Sequence, residues 1–148
     1  MYDRKYYGIK KNFLAIEEKY SGYRDSQICI LPVPFEQTTS YGKGTSKGPA
    51  AILDASHYVE FFDEELNREL CFEKGICSLL PVNLKEKKGK KALDAIYESV
   101  KELIDDGKFA VTLGGEHTIS TSPIRAHFNS YSDLSVLHFD AHSDLRNE

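Results

Sequence analysis

The chain has 148 residues, of which 41% are hydrophobic and 11% aromatic, enough for one domain with its own core and too apolar for a disordered segment. Its 19 basic and 23 acidic residues leave a net charge of −4, scattered along the chain, which argues against a nucleic-acid or anionic-lipid footprint and leaves a small molecule as the expected partner. No apolar run reaches membrane-spanning length, the start MYDRKYYGIKK lacks an apolar leader core, and Cys29, Cys71 and Cys77 lie in no metal-type spacing, so the expected compartment is a reducing cytoplasm.

From the N-terminus, NFLAIEEKY (12–20) predicts a short amphipathic helix and QICILPV (27–33) a buried strand. PFEQTTSYGKGTSKGP (34–49) has the composition of a long loop, in which Gly42, Gly44 and Gly48 are expected to shape the turns, and Pro49 is placed to open a helix through AAILDASHYVEFFDEEL (50–66). GICSLLPV (75–82) reads as a strand. In KKALDAIYESVKELIDDGK (90–108), Leu93, Ile96, Val100, Leu103 and Ile104 fall on one helical face and Gly107 is a natural stop. KFAVTLGG (108–115) predicts a further strand, 118–127 a helix, and LSVLHFD (134–140) a last strand. Strands apolar on both faces that alternate with helices imply an α/β fold, a parallel sheet with helices on both faces.

In open sheets of this class ligands bind beyond the carboxyl ends of the strands. Two predicted strand ends carry chemistry. In TLGGEHTIS, Gly114 and Gly115 permit a tight turn that presents Glu116 and His117; in HFDAHSD, the two-residue period of an extended chain points Asp140, His142 and Asp144 the same way. Carboxylates gathered with imidazoles suit a divalent cation, and the oxygen-rich mixture leans toward Mn²⁺ over Fe²⁺ or Zn²⁺. By itself, in an arbitrary sequence, Asp-x-His-x-Asp fits a solvated loop better than a metal site. His138 has the same parity but sits inside the predicted strand, where a hydrogen-bonded core histidine is expected. His57 and His127 fall on predicted helices and read as structural or surface residues. Glu116 reads equally as an orienter of a ligand histidine and as a surface acid, and Cys29 as strand packing.

GGEHTIS followed by HFDAHSD, preceded by ILPVPFEQTTSYGKGTSKGPAAILDAS, resembles the ureohydrolase family of arginases and agmatinases from about Ile28 to the last residue. The resemblance implies an arginase-like fold and a pair of Mn²⁺ ions, with His117 and Asp144 on the first metal, His142 on the second and Asp140 bridging both. It implies hydrolysis of a guanidino compound by a metal-activated hydroxide, in a homo-oligomer, with no catalytic side chain identified beyond the metal ligands and the substrate-binding residues unknown. DLRNE (144–148) looks more like agmatinases than arginases, so the implied substrate is agmatine, cleaved to putrescine and urea as in polyamine biosynthesis, with arginine or guanidinobutyrate as alternatives.

The family completes its metal pair with a Ser-x-Asp-x-Asp motif on a later strand, and agmatinases add a histidine near the leaving amine; neither occurs in these residues. Residues 1–148 are therefore expected to be the N-terminal part of a single ureohydrolase-like α/β domain, incomplete at its C-terminal side, with an unpaired sheet edge. The competing expectation is a non-catalytic metal-binding or interaction module. A deacetylase-type relative of the arginase-like fold ranks last, because its paired-histidine motif is absent.

Overall fold

A computed structural model of the chain describes residues 4–142. Three parallel strands form a sheet in the order β2–β1–β3: β1 spans Ile28–Val33, β2 Ile76–Ser78 and β3 Phe109–Gly114. Ile28 pairs with Ile76 on one side and Phe109 on the other, so β1 is the central strand and the most deeply buried. Among the described residues no strand pairs with the outer side of β3.

The helices are α1 (Glu18–Ser21), α2 (Gly48–Ala55), α3 (Leu70–Lys74), α4 (Lys90–Asp105) and α5 (Thr121–Phe128). Successive side chains of β1 alternate between the two sheet faces. Cys29, Leu31 and Val33 join a core with Ala92, Ile96, Val100 and Leu103 of α4 and Ala126 of α5. Pro32, of the opposite parity, shares a cavity wall with Pro49, Ala50 and Leu53 of α2. Both faces of the central strand are thus covered, as expected for parallel strands. Pro49 occupies the first turn of α2, and Gly107 adopts φ +69° just beyond α4.

Three predicted elements differ, and one observed element was not predicted. Residues 12–20 do not form one helix. Asn12 donates its side-chain N–H to the Ile16 carbonyl at 2.8 Å, Leu14 and Ala15 take positive φ, and the turn drives Leu14 and Ile16 into a small core with Cys71. The helix opened by Pro49 ends in a single turn at 56–58, because the Ser56 hydroxyl donates back to the Leu53 carbonyl at 2.6 Å and accepts the Leu14 N–H at 2.8 Å. From Tyr58 onward, Tyr58, Val59, Phe62 and Leu66 are exposed, with no packed stripe to sustain a helix. α3 was not legible in the sequence: five residues are too few for a periodic signal. Finally, residues 134–140 form no strand. Val136, Leu137 and Phe139 are exposed, because a parallel strand needs both a ladder partner and cover on two faces, and among the described residues neither reaches this segment.

The remaining histidines and Cys29 follow expectation. His57 Nε2 lies 2.8 Å from the Asn12 carbonyl and His127 Nδ1 2.8 Å from the Pro123 carbonyl, both structural contacts. Cys29 is fully buried opposite Cys77 in the β1–β2 register.

Candidate metal centre at the strand ends

β1 and β3 run in register to Val33 and Gly114, and their continuations stay bonded: Gly115 N donates to the Val33 carbonyl (3.2 Å) and Glu116 N to the Phe35 carbonyl (3.1 Å). This approach requires a glycine at 115. A Cβ there would lie 2.0 Å from the Phe35 carbonyl oxygen, closer than any real contact. The chain then turns into a short 3₁₀ segment, His117–Ser120, whose first residue is the predicted metal ligand.

The segment 134–142 returns to this point. His117 Nδ1 lies 3.4 Å from Asp140 Oδ2, and His138 Nε2 lies 3.5 Å from the same oxygen. The two imidazoles meet edge to face with centroids 5.3 Å apart. One donor atom from each of His117, His138 and Asp140 fits within 4.8 Å of the others, and all three residues are exposed. His142 flanks the group: its backbone N–H donates to Asp140 Oδ1 at 2.9 Å, and its Nδ1 is 3.8 Å from that oxygen. The hydrogen bond from the His142 N–H holds the Asp140 carboxyl below its ordinary range against the opposing effect of burial, and the three neighbouring imidazoles, when charged, act in the same direction. One carboxylate among imidazole nitrogens is a donor set suited to a borderline divalent cation.

The structure therefore gathers His117 and Asp140 and sets His142 beside them; Asp144 lies outside the described residues. His138 is corrected from core histidine to exposed member of the group. It is not enclosed because the strand that would have enclosed it does not form; its shared parity with Asp140 and His142 was the available signal.

Glu116 is neither a surface acid nor bonded to a ligand histidine by its carboxylate. It is buried, and its carboxylate accepts the N–H groups of Gln37 and Thr38 (2.7 Å for Thr38) and the Thr38 hydroxyl. Burial pushes its pKa up, but these hydrogen bonds outweigh it and hold the carboxyl below the usual range. Glu36 closes the same loop further on, accepting the Gly44 N–H (2.7 Å), the Ser46 N–H (3.2 Å) and the Ser46 hydroxyl (2.7 Å). The Ser46 hydroxyl and then the two N–H groups lower its pKa. A group with a depressed folded pKa stabilises the structure above its unfolded pKa, and the contribution disappears as pH falls through the folded value. The Gly44 and Ser46 amide resonances are accordingly expected to titrate with a midpoint below the ordinary Glu value of about 4.3. A midpoint at or above that value in an NMR pH series would contradict the closure.

The arginase-family model matches residues 26–148. The chain belongs to the arginase family. This arginase-family chain is 38% identical over 143 residues to N(1)-aminopropylagmatine ureohydrolase of Synechocystis, covering 93% of the chain and 46% of that relative. It is 35% identical over 146 residues to agmatinase of Bacillus anthracis, with 90% and 49% covered. Among solved structures, a candidate agmatinase from Clostridium difficile superposes with a TM-score of 0.78 at 28% identity, over 86% of this chain and 46% of that one. Formimidoylglutamase of Bacillus subtilis shares the fold, with a TM-score of 0.76 at 21% identity, over 100% and 46%. The arginase-family chain thus spans about half the length of the relatives it matches. Its parallel sheet with helices is the arginase-like architecture, shared over that half.

Proposed function

We propose that the protein carrying this chain hydrolyses a guanidino amine, with agmatine as the preferred substrate. Water adds at the guanidinium carbon, the bond from that carbon to the alkyl nitrogen breaks, and urea leaves while the amine departs protonated; agmatine yields putrescine. The observation that supports this reading is the convergence of His117, from the end of β3, on Asp140, from the distant 134–142 segment, in a chain of the arginase family.

In this reading His117, Asp140, His142 and Asp144 would hold manganese; Asp140 Oδ2 faces His117 and His138, and its Oδ1 faces His142. Bound manganese supplies Lewis acidity and a water that ionises near neutral pH. The protein's part is to keep the ligand carboxylate ionised, through the His142 N–H on Asp140, and to set the β1 loop beside the strand end.

Urea release should be measured with agmatine, N(1)-aminopropylagmatine, arginine and 4-guanidinobutyrate, each with and without added Mn²⁺. Release that needs Mn²⁺ and is fastest with agmatine is the expected result. No release from any of the four would overturn the reading. The exposure of His117, His138 and Asp140 favours a second reading for residues 1–148 taken alone, a metal-binding module without turnover; its mark would be Mn²⁺ binding with no urea formed.

A further inference from the structure

The loop between β1 and α2 has no regular secondary structure from residue 34 to residue 44, yet it is closed at several points. Glu36 ties its first part to Gly44 and Ser46. Gln37 bridges outward, donating to the Lys87 carbonyl at 2.8 Å and accepting the Gly89 N–H at 2.9 Å. Glu116 takes the N–H groups of Gln37 and Thr38 and the Thr38 hydroxyl. The loop also walls a cleft of about 530 Å³ above Phe35 and Leu84, within the range of small-ligand sites, roughly 300–1,000 Å³.

The position of Glu116 gives these bonds their meaning. It directly precedes His117, and its own N–H is fixed to the β1 continuation at Phe35. A buried carboxylate is tolerated only where its oxygens are hydrogen-bonded, and here the donors come from a loop that nearly 80 residues of chain separate from it. One side chain thus joins the strand end that carries His117 to the loop.

We propose that Glu116 is a positioning residue that latches residues 37–38 of the β1 loop against the strand end bearing His117, and that the latched loop forms a wall of the substrate site. It acts on the loop and not on the metal ligand. Its consequence for turnover rests on the guanidino-hydrolase reading above; the latch itself does not.

Trypsin distinguishes the two, because Lys43 and Lys47 offer cuts inside the loop while Lys91 and Lys101 in α4 serve as internal controls. Glu116→Ala should speed cleavage after Lys43 about tenfold. Glu116→Gln, which keeps an acceptor for both N–H groups, should raise it less, and Thr38→Val, which removes one of the three bonds, should fall between. Cleavage in α4 should not change. Mn²⁺ affinity of Glu116→Ala should fall by less than about tenfold, since removing an orienter of a metal ligand typically costs 10–100-fold. In the active protein, KM for agmatine should rise while kcat changes little. Unchanged cleavage at Lys43 in both Glu116→Ala and Thr38→Val, or a parallel rise in α4 in both, would overturn the latch. Absence of urea release by the wild-type protein would remove the reading of function, and the cleavage pattern would still decide the latch.

Discussion

Gly115→Ala is expected to destabilise the chain by about 3 kcal/mol, the upper part of the range for forcing atoms into a packed site. The added Cβ would meet three backbone atoms of Phe35, the carbonyl oxygen at 2.0 Å, the carbonyl carbon at 3.0 Å and the nitrogen at 3.2 Å. Backbone cannot rotate away as a side-chain tip can, so the two strand continuations must separate. That movement breaks the bonds from Gly115 N to Val33 and from Glu116 N to Phe35. Two comparisons make the test sharp. At Gly114 the added Cβ would meet the end of the Ile119 side chain, at 2.2 Å from Cδ1, and a rotamer change can relieve it, so Gly114→Ala should cost roughly 1–2 kcal/mol. Gly8 has no atom within 4 Å of an added Cβ and is exposed, so Gly8→Ala should stay within about 0.5 kcal/mol. Urea unfolding of the three variants reads these values. Equal costs at 114 and 115 would mean that Phe35 does not approach Gly115 as closely as described.

The second large effect concerns the candidate metal centre. Asp140→Asn keeps the shape of the side chain and removes its charge. Asp140 is the common neighbour of His117, His138 and His142, and among the described residues it is the only anion in that group. In the proposed donor set Asp140 is the carboxylate that stands among the imidazoles, so its loss removes charge that balances the cation. Mn²⁺ affinity measured by titration calorimetry is expected to fall by about a hundredfold or more, beyond what loss of an outer hydrogen-bonding partner does. Urea formation should fall with it. His138→Asn should lower affinity by about tenfold or less, because it removes one of several neutral donors. An Asp140→Asn chain that binds Mn²⁺ as the wild type does would sink the assignment of this group as a metal centre. A larger loss in His138→Asn than in Asp140→Asn would shift the centre toward the two imidazoles and away from Asp140.

The fold and the site were legible to different depths, and the difference has physical causes. α4 was readable because sixteen residues carry several turns of a 3.6-residue period, and Ala92, Ile96, Val100 and Leu103 are the buried stripe. β1 was readable because a strand covered on both faces must be apolar throughout, and β3, though only half-buried, carries a similar apolar run. The same pattern misled at 134–140, where the apolar run is present but the ladder and the covering layers are not. At 12–20, an amphipathic pattern gave way to the Asn12 side chain, which competes for the Ile16 carbonyl and turns the chain.

By itself the sequence determined the parallel α/β plan, the glycine pair that opens the end of β3, and the candidate donors His117, Asp140, His142 and Asp144, because periodicity, backbone freedom and ligand chemistry are properties of short stretches of chain. Only the tertiary structure decided that His138 stands exposed beside Asp140, and that the buried carboxylate of Glu116 reaches Gln37 and Thr38. Those facts depend on where distant segments cross, and no local pattern encodes which backbone N–H will face a carboxylate nearly 80 residues away.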